Sequence, residues 1–440
     1  MISDFKKYNL LLLFAAGLLT VGKADGQSST SDSLSLKSII SEVVQNHPAV
    51  KKAEEDLRVS DAKIGIAKSV KQPNVDITSS YSRIGPVSSI SIPDMGTFSF
   101  VPHDNYSAAI NASQVLYDFG KTDKAISLET QSKELVGLTV EQVKQKLSQA
   151  VIGVYFTLVY LQEAVKIKDE QLNTLNEHLR YVQKKQETGS ATKYEVLTTQ
   201  VKISGIENQK TDLQTAIQVQ ACQLNMLLGK PESTDERVKA EFNDLAPEYQ
   251  NDSLMTEAMR NRDEMKMARV KAKLADMQLD LTNYQNKPIV SGFLSGGIKN
   301  GYTPYLYDPK PNFVAGLGIK IPVFDGKRKE FNVSQAQSAV HINNQDTEIT
   351  RRTIVDQVVE AEANVAASQK KVDQSELQLR QANQAYHLAK VSFDSGVITN
   401  LELIEGSNAV SESRLMVLKS KIDYAVNIYK LKSAIGERLY

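Results

Sequence analysis

A chain of 440 residues leaves room for two or three ordinary domains, and 52 Lys+Arg against 52 Asp+Glu leave it without net charge. That balance excludes the electrostatic footprint of a nucleic-acid binder. Cys222 is the only cysteine, so no intrachain disulfide frames the fold; its place among Val219, Leu224 and Leu227 predicts a packed thiol rather than a reactive one.

The first stretch reads as an export signal. Lys6 and Lys7 precede an apolar core from Leu10 to Val21, followed by small residues that permit cleavage after Ala24 or Gly26. That core is shorter than the ~20 residues of a membrane span. No cysteine lies near the cleavage site to carry a lipid. Past residue 25 no apolar run approaches spanning length, so the mature chain is expected to have no transmembrane helix.

Leu36 to Gln72 has a helical period, interrupted at Asn46-His47-Pro48, where Asn46 is expected to cap and Pro48 to open the next helix. After Pro73 the period changes to two. Val75, Ile77 and Tyr81 alternate with Asp76, Thr78, Ser80 and Ser82. A Ser/Gly/Pro-rich loop, 85–104, leads to Tyr106, Ala108, Ile110, Ala112 and Leu116, which alternate with polar residues. The pattern predicts a hairpin, strands at about 74–84 and 105–117, with one apolar and one polar face.

From Asp118 to Thr188 there is no proline. Leu147, Val151, Val154, Leu158, Leu161, Val165, Leu172, Leu175, Leu179 and Val182 keep an alternating 3/4 spacing, broken only by Lys168. A helix here would run roughly 100 Å and supercoil around its neighbours. A turn at 188–192, with Gly189 and Thr192, precedes a second helix that ends at Gly229.

The whole run then returns. Asp118–Gly229 matches Asp325–Gly436 at a constant offset of 207, and upstream Asn46 and Pro73 match Asn261 and Pro288 at 215. The eight-residue change falls between Pro73 and Asp118. Such self-similarity reads as a doubled structural unit: a first repeat at 28–229, a linker at 230–252 and a second repeat at 253–440. The second hairpin is expected at about 289–299 and 312–324, with Tyr106 and Phe313 as matched aromatics for a membrane interface. The second long helix keeps the register with smaller groups, from Ile354, Val358 and Ala361 to Tyr386 and Ala389, and a turn at 395–399 carries Gly396 and Thr399.

Four strands per chain cannot close a barrel, and open edges do not survive in lipid. Strands placed in a membrane would therefore be shared, and three chains would supply twelve. The alternative is a soluble periplasmic scaffold whose helices bridge partners.

The signal, the paired hairpins, the double repeat, Tyr117-Asp-Phe-Gly-Lys121, Val323-Phe-Asp-Gly-Lys327 and the Gly-x-x-Thr turns together resemble the TolC-like outer-membrane efflux protein family. The resemblance covers essentially all of the mature chain. It implies a mainly α fold with a membrane β-barrel: a homotrimer with twelve strands in the outer membrane and a long coiled-coil tunnel across the periplasm. The implied partners are a periplasmic adaptor and an inner-membrane pump, with no nucleic acid. The implied role is the exit duct of a tripartite efflux or type I secretion system.

In that family, carboxylates ring an aperture at the helix turns. The positions that match by distance from the turn glycine are Glu195, Glu402 and Glu405, with Phe393 as the aromatic three residues before Gly396. Ile398 stands where relatives can carry a basic residue, so no latch through that position is carried over. The residues themselves offer a plainer account of two acids. Thr192-Lys-Tyr-Glu195 and Thr399-Asn-Leu-Glu402 fit capping boxes. Glu405 has no such role; on a lumen-facing turn it would form a cation-favouring ring, and otherwise it is a solvated face. The five histidines are scattered, without HExxH spacing, and no Gly-x-Ser-x-Gly elbow is present. The sequence therefore predicts no enzyme, no cofactor and no metal.

Overall fold

The computed structural model describes residues 34–231, 238–240 and 253–440; the expected export signal and most of the expected linker lie outside them. Two short helices, α1 (Leu36–Asn46) and α2 (Pro48–Ser69), come first. The break falls at His47, whose Nδ1 accepts the Ala49 amide at 3.1 Å, and not at Asn46, which ends α1. Proline disfavours helical backbone at the residue before it, so His47 is the extended residue and takes the cap.

Strand β1 (Asn74–Arg83) follows. The loop beyond it contains a small ribbon, β2 (Ser89–Ile92) paired with β3 (Gly96–Ser99), inside the stretch 85–104 whose composition predicts only a loop. Then come β4 (Asp104–Tyr117), the 67-residue α3 (Lys121–Glu187) and α4 (Lys193–Leu228). The second half repeats the order: α5 (Leu254–Asn261), α6 (Asp263–Asn283), β5 (Ile289–Lys299), β6 (Lys310–Lys320), the 67-residue α7 (Arg328–Asp394) and α8 (Asn400–Ala434). Strand β6 stops at Lys320, four residues short of the expected Phe324.

Four strands form one antiparallel sheet in the order β1-β4-β5-β6, with β4 joining the two repeats. Register puts Val75, Ile77, Tyr81, Tyr106, Ile110, Leu294, Ile298, Phe313, Leu317 and Ile319 on one face. All of these are exposed in the single chain. The opposite face carries hydroxyls and amides: Asn111 donates to Asp76 and Thr78 at 3.0 Å each, and Ser295 donates to Asn111 at 2.7 Å. Two glycines let this sheet close up. A Cβ on Gly297 would lie 2.1 Å from the Ala108 carbonyl, and one on Gly316 would meet the Phe293 ring at 2.6 Å.

Each strand-to-helix joint uses its aspartate. Asp118 accepts the amides of Gly120 at 3.1 Å and Thr122 at 2.7 Å, with the Thr122 hydroxyl, and Asp325 accepts the Lys329 amide at 3.1 Å. These bonds satisfy amides that a helix start leaves unpaired. The conserved spelling of the two motifs in the two repeats is thus a helix-entry device.

The helical body buries the predicted stripe. Val151, Leu158, Leu161, Leu172, Leu175 and Val182 of α3 are in the core, as are Ile354, Val358, Ala361, Val365, Ser368, Val372 and Ser375 of α7. Against the expectation that no run past residue 25 is long and apolar enough to span, α3 contains a window apolar enough by length and composition to cross a membrane; 44% of that window is buried inside the chain, and Val151, Ile152, Leu158 and Leu161 of α3 are core residues. Cys222 is half-buried on α4.

Candidate functional site at the helical tip

At the end of the bundle away from the sheet, both helical hairpins turn on a left-handed glycine, Gly189 and Gly396, each at φ 75°. Such backbone excludes most side chains, which is why the turns carry glycine. Three residues later Thr192 and Thr399 open α4 and α8 with complete capping boxes. The Glu195 carboxylate accepts the Thr192 amide at 2.9 Å and returns its own amide to the Thr192 hydroxyl at 3.3 Å; Glu402 and Thr399 do the same at 2.7 and 3.3 Å. The Thr399 amide and hydroxyl hold the Glu402 carboxyl below the usual glutamate range.

Glu405, one turn further along α8, is exposed and takes no part in the cap. Its carboxylate lies 3.8 Å from Lys202 on α4 and accepts from Asn408 at 3.3 Å. Asn408 in turn accepts from Gln171 at 3.0 Å, and the Gln171 carbonyl accepts from Ser411 at 2.8 Å and from Lys168 at 3.3 Å. Gln171, Asn408, Ser411 and Lys168 are all buried. Burial pulls the Lys168 ammonium below the usual lysine range, with Lys202 adding to that and Glu412 opposing it. The one position that breaks the α3 stripe is therefore the start of a polar seam between α3 and α8. That break was its only signal in the sequence.

Phe393 stands half-buried against His178 and Tyr181, at 5.5 and 6.3 Å between ring centres. Lys185 sits over both the Tyr181 and Phe393 rings, at 4.8 and 4.9 Å. His178 Nε2 is 2.5 Å from Asn400 Oδ1, and the Asn400 amide reaches the Glu195 carbonyl at 3.3 Å and Thr199 at 3.2 Å. Nothing in the spacing of His178 or Asn400 announced this tie between the two hairpins. It brings the cap of one turn into contact with the start of the other, so Glu195, Glu402, Glu405 and Phe393 share one end of the molecule. Among the described residues no group of His, Cys, Asp and Glu side chains is arranged to hold a metal ion.

A sheet with one exposed apolar face, two open edges and a body of rods behind it defines an outer-membrane channel protein. The comparisons agree. Residues 39–230 and 254–437 match the family described as outer membrane efflux protein, and the chain belongs to that family. It is 21% identical over 350 residues to the outer membrane protein TolC of Vibrio cholerae, covering 76% of this chain and 77% of that protein. It is 21% identical over 350 residues to the alkaline protease secretion protein AprF of Pseudomonas aeruginosa, covering 76% of this chain and 70% of that protein. The crystal structure of the outer membrane protein VceC from Vibrio cholerae superposes with a TM-score of 0.75 at 19% identity, over 92% of this chain and 97% of that one. The chain is an outer-membrane protein whose helical body extends into the periplasm, and the soluble-scaffold alternative falls.

Proposed function

We propose that three copies of this chain close a twelve-strand barrel and stack their helical hairpins into a tunnel, forming the exit duct of a tripartite efflux or type I secretion system. The observation that carries this reading is the sheet. It has two unpaired edges, and its apolar face is exposed while its polar face is networked. In lipid such a sheet is stable only when other copies satisfy its edges. The duct is passive and takes no catalytic step; a periplasmic adaptor docks at the tip, and an inner-membrane pump supplies the energy. The roles carried in the relatives' names, among them alkaline protease secretion by AprF, support the class of system and leave the cargo open.

Glu405 is the acid we assign to the aperture, with Glu195 and Glu402 as the caps that hold the turns in shape. Glu405 is exposed, with Asn408 at 3.3 Å and Lys202 at 3.8 Å as partners of one carboxylate oxygen, so the other oxygen is available to a lumen. Three such carboxylates around one axis would favour cations. The test is reconstitution into planar bilayers. Detergent-extracted protein should run as a heat-modifiable trimer and conduct ions with cation preference, and Glu405→Ala should reduce that preference. A monomer that dissolves without detergent would overturn the duct; unchanged selectivity in Glu405→Ala would overturn the ring alone.

A further inference from the structure

The two strand-to-helix joints occupy equal positions in the repeat but differ in charge. In the first repeat Tyr117-Asp-Phe-Gly-Lys-Thr-Asp-Lys124 carries two acids against two cations, and two of its charges are paired from outside the segment: Asp123 with Lys71 at 2.5 Å and Lys124 with Asp280 of α6 at 3.0 Å. At the matching place the second repeat reads Phe324-Asp-Gly-Lys-Arg-Lys-Glu-Phe331. Of its three consecutive cations, Lys327 reaches only Glu330, at 4.0 Å with both side chains exposed, and Arg328 is exposed. Lys287, next to the Asn286 that donates to Asp325 at 2.8 Å, lies over the Tyr284 ring at 5.8 Å, and Lys320 ends β6.

Two further observations mark this joint. The residues that flank the cations are apolar and bare: Val323 is 93% exposed, Phe324 85% and Phe331 70%. Lys327 also holds a left-handed backbone, φ 66°, at the position where the first repeat has Gly120. A non-glycine residue there is disfavoured, and such outliers gather at functional places. The joint of the first repeat has its own non-glycine outlier at Phe119, φ 56°, so each joint keeps an aromatic or a cation where glycine would be easiest.

The joint lies where the apolar sheet face ends and the periplasmic helices begin, which is the headgroup level of the inward leaflet. Aromatic side chains followed by clustered cations at that level match the chemistry of an anionic headgroup above an acyl chain. We infer that Lys327, Arg328 and Lys329, with Val323, Phe324 and Phe331, form a binding surface for anionic phospholipid, which anchors the second repeat in the membrane. The first joint, with two acids for its two cations and Lys124 paired with Asp280, lacks this preference. The inference rests on the outer-membrane placement.

The experiment uses the full mature chain, purified in detergent as its oligomer and titrated with phosphatidylglycerol, phosphatidylcholine or inorganic phosphate, with bound lipid counted by native mass spectrometry. Wild type should retain phosphatidylglycerol over phosphatidylcholine by roughly tenfold, a preference that weakens with salt. The triple variant Lys327→Gln, Arg328→Gln, Lys329→Gln should lose the preference, and Lys121→Gln with Lys124→Gln should keep it. Equal retention of the two lipids by wild type overturns the proposal, as does a preference that survives the triple variant. Inorganic phosphate displacing the lipid would mean a free-anion site, and it too overturns the proposal. If Phe324→Ser dissociates the oligomer while lipid retention is unchanged, the segment is a subunit contact and the proposal falls. Should the triple variant fail to assemble, the wild-type lipid and salt series decides alone. Bilayer conductance of wild type, scored in parallel, separates failure of this anchor from failure of the duct.

Discussion

The two helical hairpins have the same frame and different fillings. Helices α3 and α7 are both 67 residues, and α4 and α8 are 36 and 35. The first hairpin packs Tyr155, Phe156 and Val159 into a cluster with Ile39, Val43 and Leu224. At the positions equivalent to those three, the second copy has Glu362, Ala363 and Ala366, none of them buried. Its seam instead contains Ser368 and Ser375, whose hydroxyls bond back to Val365 and Val372 at 2.9 Å each. Serines satisfied within their own helix fill space without binding a partner, so they add little to cohesion between helices. Duplication preserved the backbone geometry while the bulky core groups of α3 gave way to small ones on α7, and in the second hairpin it is α8, with Leu418, Ile422, Ile428 and Leu431, that supplies the apolar burial.

The sharpest way to break that contrast is to empty the two seams. Phe156→Ala should cost about 3–5 kcal/mol in denaturant titration of the oligomer, whereas Ala363→Gly at the matching place should cost about 1 kcal/mol or less. Equal losses would refute the asymmetry. Next in size is Gln171→Leu, which strands the side chains of Asn408, Ser411 and Lys168 and should cost about 1–3 kcal/mol.

Lys168→Met should act in the opposite direction, stabilising by on the order of 1 kcal/mol at neutral pH because it removes a buried charge. The sign follows from the lowered folded-state pKa of Lys168. The penalty on the charged form is fully present below that folded value and fades as pH rises toward the ordinary lysine value of about 10.4, so the advantage of Met should shrink over that window. A thermal-melt series against pH checks it. The smallest effects belong to the caps: Thr192→Ala and Thr399→Ala should each cost about 1 kcal/mol. Glu402, held below the usual glutamate range, stabilises above about pH 4.3, and the contribution is lost as pH falls through its folded value. The difference in melting temperature between wild type and Glu402→Gln should therefore vanish on acidification.

Much of this molecule was set by local chemistry and so was written in the chain order. The doubled unit, the 67-residue rods, the glycine turns and both Thr–Glu caps depend on periods and spacings within a few residues of one another. The alternation in β1 and β4 likewise announced which side chains share a face. What the tertiary structure alone decided is which distant segments meet. The pairing of β4 with β5 joins the repeats across nearly two hundred residues, and the His178–Asn400 tie links two turns that no periodicity relates. Lys168 registered in the sequence only as a flaw in a stripe; it donates to Gln171, whose own partners on α8, Asn408 and Ser411, lie more than two hundred residues away. Periodicity reports the face a residue occupies on its own element; the neighbour that face meets is fixed by packing between elements, to which a single sequence gives no direct access.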